Sequence, residues 1–337
     1  MPVILGIESS CDETAAAVID NGKLLANIVA GQEVHRQWGG VIPELASRAH
    51  QQHIVPVIDK TLKTAGKLPA EIDAVAFTRG PGLLGSLLVG TSFAKGFALA
   101  LGKPLIEVNH MRAHILAHFI EDEHPRAKPS FPFLCLTVSG GHTQIVKISD
   151  PYTFNILGET IDDAAGEAFD KTAKILGLPY PGGPLIDQHA ANGDPLAFHF
   201  PSSNVGDYNF SFSGMKTAVL YFVRDELKKD EMFLQKRMDD LCASVQHTIV
   251  TALMKKLEKA AGDTGIRDIA LAGGVSANSG LRKKLEETGK AKGWNVFIPP
   301  FSYCTDNAAM IAMAGHFKFL RHEFSGQDVA PLARYPV

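Results

Sequence analysis

The chain has 337 residues, 45% of them hydrophobic and 20% charged, the make-up of an ordinary folded protein. Fibres, disordered tails and short disulfide scaffolds are excluded, and the length suits two domains or one large α/β unit in two halves. Lys plus Arg number 33 against 36 for Asp plus Glu, a net charge of −3 with a pI near 6.5. A nucleic-acid partner therefore needs a local basic patch or a second protein.

In chain order, residues 3–9, 14–19 and 24–30 read as apolar strands, with Asn21-Gly22 as a hairpin turn, so the chain opens with a β-meander. Pro43 starts a helix that runs to Ala65 and stops at Gly66. A strand over 72–78, a helix over 85–101, a strand over 104–108 and a helix over 110–120 follow. The segment 83–101 is the most apolar in the chain; it carries Lys95 and reads as a buried core helix, not a membrane span.

Pro, Lys and Arg cluster at 125–132, which reads as a linker, and the opening pattern then begins again. Leu5, Ser10 and Thr14 align with Leu134, Ser139 and Thr143, each set placing a polar turn between two apolar strands; 152–157 is the third strand of the second meander. A helix over 163–176, an irregular stretch from Pro179 to Phe212 and a long helix over 236–261 come next. Strands at 269–272 and 296–298 alternate with helices at 276–292 and 306–320. This predicts two duplicated α/β halves. One spans residues 1–128 and is completed by 307–337; the other spans 129–306.

Gly80-Pro81-Gly82-Leu83-Leu84-Gly85 fits the dinucleotide pattern G-x-G-x-x-G, with Glu107 at the end of the next strand. It follows a meander instead of opening a first βα turn, and Pro81 lacks the N–H that a pyrophosphate needs, so a plain strand-to-helix turn is the preferred reading. The P-loop-like Gly214-Met215-Lys216-Thr217 fails because Met215 separates the glycine from the lysine. Ser139-Gly140-Gly141-His142-Thr143 suits either a tight hairpin or a turn whose N–H groups close on phosphate oxygens. Gly273-Gly274-Val275-Ser276-Ala277-Asn278 follows a strand and precedes a helix with Ser276 as the expected N-cap; such a turn can hold an adenosine against bare backbone. Together the two glycine pairs favour a nucleotide site.

His110 and His114 stand at i, i+4, one above the other on a helix face, although 13 histidines make chance pairs common. Met111 occupies the place of the zincin glutamate, which disfavours a peptidase of that type. Asp306, ahead of the last helix, completes a two-His, one-carboxylate set suited to Fe(II) or Zn, with Asp12 and Glu13 as alternative carboxylates. Asp163, Glu167 and Asp170 share a helix face beside Lys171, either as a solvated surface or as a wall approached by ligand. No C-x-x-C pair occurs among Cys11, Cys135, Cys242 and Cys304, and no basic leader precedes Val3, so the reduced cytoplasm is the expected setting.

Eight ordered motifs carry a family resemblance from about residue 3 to 320. They are Gly6–Thr14, Gly39–Arg48, His110-x-x-x-His114, Val138–Thr143, Glu167–Lys171, Tyr180–Pro184, Phe212–Thr217 and Gly273–Asn278. The sequence resembles the TsaD family of tRNA N6-adenosine threonylcarbamoyltransferases, formerly labelled O-sialoglycoprotein endopeptidases. The resemblance implies the actin-like ATPase fold of sugar kinases and Hsp70. It also implies transfer of threonylcarbamoyl from threonylcarbamoyl-AMP to N6 of adenosine 37 in tRNAs reading codons that begin with A. By resemblance, His110, His114 and Asp306 hold one divalent metal, Fe(II) in first place with Zn as the other option. The same resemblance implies a donor seated on Thr137, Val138, Ser139, Gly140 and Gly141, with Asp170, Gly183, Asp187 and Asn278 as further contacts; for the chemistry, Asp12 or Glu13 is expected to orient the amine or accept its proton. Implied partners are TsaB, a related actin-like protein forming a heterodimer, the ATPase TsaE, and TsaC as donor supplier. The 110–120 region and the first-half helices are expected to supply the dimer face. An actin-like kinase or ATPase and a metallopeptidase are the rival readings.

Overall fold

The computed structural model describes residues 2–31, 40–202 and 205–337, so Gly39 of the second motif lies outside the described residues. The chain divides into two compact units, Met1–Lys128 with Pro299–Val337, and Pro129–Ile298. Relative to the expected division, the return to the first unit comes at Pro299 and not at 307. Asp306 consequently belongs with His110 and His114, where the expected boundary had put it in the second half.

The first unit contains a five-stranded sheet of β1 (Val3–Glu8), β2 (Thr14–Asp20), β3 (Lys23–Ala30), β4 (Ala74–Gly80) and β5 (Leu105–Asn109), in the order β3-β2-β1-β4-β5. β1 to β3 form the antiparallel meander, and β4 and β5 run parallel to β1. The second unit repeats this strand for strand. Its strands are β6 (Phe133–Val138), β7 (Thr143–Asp150), β8 (Thr153–Glu159), β9 (Asp268–Ala272) and β10 (Asn295–Phe297), in the order β10-β9-β6-β7-β8. Alignment of Ser10 with Ser139 therefore marks equivalent turns between equivalent strands.

The first sheet is apolar on both faces because both are covered. Val3, Leu5 and Ile7 of β1 pack with Ile54, Val57 and Ile58 of α1 (Pro43–Ala65) and with Ala94 and Ala98 of α2 (Leu84–Leu101). The alternate residues Ile4 and Gly6 face α9 (Ala308–Leu320). A side chain at Gly6 would meet the Ala308 carbonyl at 2.6 Å, so glycine lets the last helix lie directly on the strand. Each aliphatic side chain buried in this way contributes about 1.5–3 kcal/mol.

Only Ser86, Leu87, Gly90, Thr91, Ala94 and Ala98 of α2 are buried, whereas Leu84, Leu88 and Leu99 are exposed. The expected core helix thus turns its small residues inward and several large ones outward. Its length and hydropathy alone would suit a membrane span, as the only such helix among the described residues, but it is packed on α1 and β4.

The helix expected over 110–120 is α3 (His110–Leu116) followed by a 3-10 turn. In the second unit, α4 (Ala165–Ile175), α7 (Phe233–Thr264, kinked at Arg237) and α8 (Ser279–Lys292) correspond to expected helices. Two helices escape the sequence reading, α5 (Gly182–Ala190), inside the stretch read as irregular, and α6 (Ser213–Leu227). Neither has a side-chain cap from its own N-cap residue. Instead, Asp170 Oδ1 accepts from the N–H groups of Gly182 and Gly183 at 2.8 and 3.0 Å, and Asp162 Oδ1 accepts from that of Phe212 at 2.8 Å. A cap supplied from elsewhere in the chain leaves no local start signal.

Candidate metal centre and glycine turns

In the first unit, α3 begins directly at the end of β5, with Asn109 as N-cap accepting from the Arg112 N–H at 3.1 Å. His110 and His114 sit one turn apart with their rings at 89° and centroids 4.7 Å apart. Asp306 precedes Asn307, the N-cap of α9, whose Oδ1 accepts from the Met310 N–H at 3.1 Å. Two asparagine caps therefore fix the two helix starts that carry the three groups, each cap contributing about 1 kcal/mol.

Nε2 of His114 lies 3.2 Å from Nε2 of His110 and 3.1 Å from Oδ1 of Asp306, and the His110 Nε2 to Asp306 Oδ1 distance is 3.3 Å. Both imidazoles are nearly fully buried, and the Asp306 side chain is 22% exposed. Nδ1 of His110 is 3.0 Å from Glu8 Oε2 and 3.2 Å from Ser10 Oγ. Glu8, fully buried at the end of β1, also accepts from Thr78 Oγ1 at 2.6 Å and from the Ser10 N–H at 2.5 Å. Although burial opposes it, Asp306 and Glu8 draw the His110 imidazole toward its protonated form. Against a similar penalty, His110 and His114 hold Asp306 below the usual carboxylate range.

Three ligand atoms converging within 4.8 Å, with a carboxylate behind one imidazole, match the donor types of a two-His, one-carboxylate site and could hold a divalent cation. The turn after β1 adds Asp12 and Glu13. Burial, then Asp306 and Asp12, push the Glu13 carboxyl up to about 9, and a hydrogen bond joins it to Asp12. His50 of α1 holds this turn, with Nδ1 2.7 Å from Thr14 Oγ1 and Nε2 3.0 Å from the Cys11 carbonyl.

The dinucleotide-like turn is filled by the chain itself. A side chain at Gly82 would collide with the Ser10 carbonyl and one at Gly80 with that of Leu332, and the Gly82 N–H donates to the Ala333 carbonyl at 3.2 Å. Glu107 is engaged by Arg79 Nη1 at 2.5 Å and by Tyr335 Oη at 3.3 Å. Neither element is open to a dinucleotide.

In the second unit, the turn from Ser139 to His142 closes through Ser139 N–H to the His142 carbonyl at 2.8 Å and His142 N–H to Ser139 Oγ at 3.1 Å. Side chains built at Gly140 and Gly141 would meet no protein atom within 4 Å. Thr137 and Val138 are fully buried, backbone included, as members of β6 in the sheet that leads into this turn. Gly166 of α4 and Gly273, at φ +86°, press against this turn; a side chain at either would meet the carbonyl of Ser139 or Val138 at 2.5 Å.

The helix face expected to collect Asp163, Glu167 and Asp170 is divided. Asp163 precedes α4 and pairs with Lys171 and Lys216, Glu167 pairs with Lys171, and Asp170 turns to the start of α5 with Gly183. Burial raises the Asp170 carboxyl despite its two N–H donors. Asp187 of α5 accepts from the N–H and Oγ of Ser279 at 3.0 and 2.7 Å. Asn278, not Ser276, is the N-cap of α8, accepting from the Leu281 N–H at 2.9 Å and donating to Gln246 at 2.6 Å. Thr137 to Gly141, Asp170, Gly183, Asp187 and Asn278 are thus joined through the starts of α4, α5 and α8.

Residues 23–313 match the family model described as TsaD: tRNA N6-adenosine threonylcarbamoyltransferase. The chain belongs to the TsaD family. Relatives bearing the name tRNA N6-adenosine threonylcarbamoyltransferase include that of Christiangramia forsetii, 61% identical over 98% of this chain and 97% of its own. Another is that of Porphyromonas gingivalis, 57% identical over 99% and 98%. Among solved structures, full-length HypF in its phosphate- and nucleotide-bound form covers 96% of this chain, and 47% of that one, at TM-score 0.65 and 14% identity. Component A of the Acidaminococcus fermentans (R)-2-hydroxyglutaryl-CoA dehydratase covers 94%, and 99% of its own length, at 0.55 and 16%. The fold is that of the actin-like ATPases. As a TsaD family member the chain is a transferase that places threonylcarbamoyl on N6 of adenosine in tRNA.

Sequence reasoning about this TsaD member gave no role to Glu8, Ser10, Thr78 or His50. The available signal was a charged residue ending the otherwise apolar run Val3–Ile7, which in a buried strand demands partners. His50 sits among the polar residues of a helix, and nothing local distinguishes it from His53.

Proposed function

We propose that the chain takes threonylcarbamoyl-AMP as donor and modifies adenosine 37 of tRNAs reading codons that begin with A, with a divalent metal, Fe(II) or Zn, held by His110, His114 and Asp306. The observation that carries the metal is the convergence of these three ligand atoms with Glu8 behind His110. When bound, the ion supplies a Lewis acid that polarises the transferred carbonyl.

The chain's own residues do the rest. Glu8 orients the His110 ring and fixes which nitrogen faces the site. The turn from Ser139 to Gly141 offers open backbone to the nucleotide, and the junction of Asp170, Gly183, Asp187 and Asn278 stiffens the helix starts beside it. Asp12 and Glu13, the two acidic residues of the β1–β2 turn, are the candidates to orient the attacking amine or accept its proton.

TsaB, TsaE and TsaC belong to this proposal as heterodimer partner, ATPase and donor supplier. Most of the 110–120 region is buried, including Met111, Ala113, Ile115, Leu116 and Ala117, so it offers less surface for a TsaB face than the first-half helices. Val55 of α1 and Leu84 and Leu88 of α2 are exposed apolar residues on the first-half helices, and they support a TsaB face there. A tRNA substrate supports a cytoplasmic setting for the reaction.

The test is nucleoside mass spectrometry of unmodified tRNA incubated with threonine, bicarbonate, ATP and the partners, with and without this chain or its His110→Ala, His114→Ala variant. Threonylcarbamoyladenosine formed only with the intact chain is the expected outcome. Full product from the double variant would remove the metal from the reaction.

A further inference from the structure

Beyond α9 the chain does not leave the first unit. Ser325 N–H donates to the Leu105 carbonyl at 2.8 Å, and Lys95 Nζ to that of Val329 at 2.7 Å. Arg79 Nε donates to the Ala330 carbonyl at 2.9 Å, while the Leu332 N–H donates back to the Arg79 carbonyl at 2.8 Å. The segment thereby crosses β5, α2 and β4 as a strap. It ends on Asn109, which is 6% exposed and whose Nδ2 donates to the carbonyls of Tyr335 at 3.1 Å and Pro336 at 3.0 Å. The Tyr335 ring stacks on the Arg79 guanidinium at 5.3 Å, and its hydroxyl reaches Glu107, the partner of Arg79.

Asn109 uses both ends of its amide. The nitrogen binds the strap, and the oxygen caps α3, whose first residue is His110. A helix of 7 residues has little stability of its own; α3 is held by the packing of its buried residues, in part on α9, and by the groups that fix its first turn. The amide has two N–H groups and two carbonyls to bind, so its orientation is fixed from the strap side.

We infer that the segment Leu332–Pro336 is a positioning element of the metal centre, acting through Asn109 to set the direction of α3 and so the separation of His110 and His114 from Asp306. The inference rests on reading those three residues as metal ligands.

Its test is Co(II) binding by the full chain, followed by competition with a chromophoric chelator and by the visible absorption of the bound ion. Two variants keep an oxygen at the cap: a chain ended at Arg334, which lacks the two carbonyls together with the Tyr335 ring and hydroxyl, and Asn109→Ser, which lacks the amide donors and caps through its hydroxyl oxygen. Each should weaken Co(II) binding about tenfold, the size of effect seen when a ligand's supporting contact is lost, and alter the absorption. Both remove the bonds between Asn109 and the strap, and the ended chain also loses the Tyr335 contacts with Arg79 and Glu107, so the double variant should lose no more than the ended chain alone. His114→Ala is the control for the ligands themselves. Full affinity with unchanged absorption in the ended chain and in Asn109→Ser, while His114→Ala abolishes binding, would overturn the strap and leave the metal reading standing. Losses that add in the double variant would also overturn it, since they would report two separate injuries to the fold. Binding undiminished by His114→Ala would remove the metal reading and the strap's role together.

Discussion

Glu8 Oε2 stands 3.0 Å from Nδ1 of His110, so a carboxylate at the end of the first strand backs an imidazole that comes a hundred residues later in the chain. The same oxygen accepts from Thr78 Oγ1 at 2.6 Å and its twin from the Ser10 N–H at 2.5 Å. A strand, a turn and a helix start therefore meet at one buried carboxylate, whose charge His110 offsets.

Glu8→Gln is isosteric but cannot give the His110 ring the same anionic support. Metal affinity should fall by about 10- to 100-fold with the fold retained. Glu8→Ala should additionally cost about 1–3 kcal/mol, because the Ser10 N–H and the Thr78 hydroxyl lose their buried acceptor. Isothermal calorimetry with Zn(II) and urea unfolding check the two effects separately. Unchanged affinity in Glu8→Gln would refute the supporting role.

His50→Ala should leave α1 helical yet release the turn that carries Asp12 and Glu13, because Thr14 Oγ1 and the Cys11 carbonyl lose the ring joining them. A drop in turnover without a matching rise in the KM for tRNA is expected, with a stability loss of about 1–3 kcal/mol. Steady-state transfer assays across tRNA concentrations decide it, and wild-type turnover would show that the turn holds itself.

The glycines of the second unit divide into two kinds that a single experiment separates. Gly140→Ala and Gly141→Ala add a methyl group where no protein atom lies within 4 Å, so thermal stability should hold while donor binding suffers if the nucleotide closes on this turn. Gly273→Ala places a methyl group against the Val138 carbonyl at φ +86° and should be destabilising whether or not donor is present. Thermal midpoints measured with and without AMP distinguish them. An AMP-induced shift in Gly141→Ala equal to that of the parent would move the nucleotide off the turn.

Much of this arrangement was legible in the sequence, and for a physical reason. The duplicated meander shows itself because strand alternation and the Ser10/Ser139 turns are local patterns, and the His110, His114 pair is legible because helical spacing is local too. What was hidden depends on distant partners. α5 and α6 start at residues capped by Asp170 and Asp162, and Asn278 displaces Ser276 as a cap because the chain makes one short 3-10 turn before α8 begins. Asp170 looked like a ligand contact by motif. Its Oδ1 spans the first N–H groups of α5, so Asp170→Ala should cost about 0.5–2 kcal/mol even without donor, measured by urea unfolding of the free chain.

Asp163 gives a pH test of the second unit. Burial acts to raise its carboxyl, but hydrogen bonds from Lys171 and Lys216 prevail and hold it below the usual carboxylate range. A carboxyl whose folded pKa lies below its unfolded value, near 3.9, stabilises the fold fully above that unfolded value. The contribution is lost as the pH falls through the folded one. The stability difference between the parent and Asp163→Asn should therefore be constant at pH 6 to 7 and shrink below about pH 4. It is read from urea unfolding at each pH. Lys216→Met should reduce the same difference at neutral pH, since it removes one of the two ammonium groups that depress the carboxyl. A gap between parent and Asp163→Asn that persists unchanged to pH 3 would mean that the Lys171–Asp163–Lys216 bridge holds these helices by shape and not by charge.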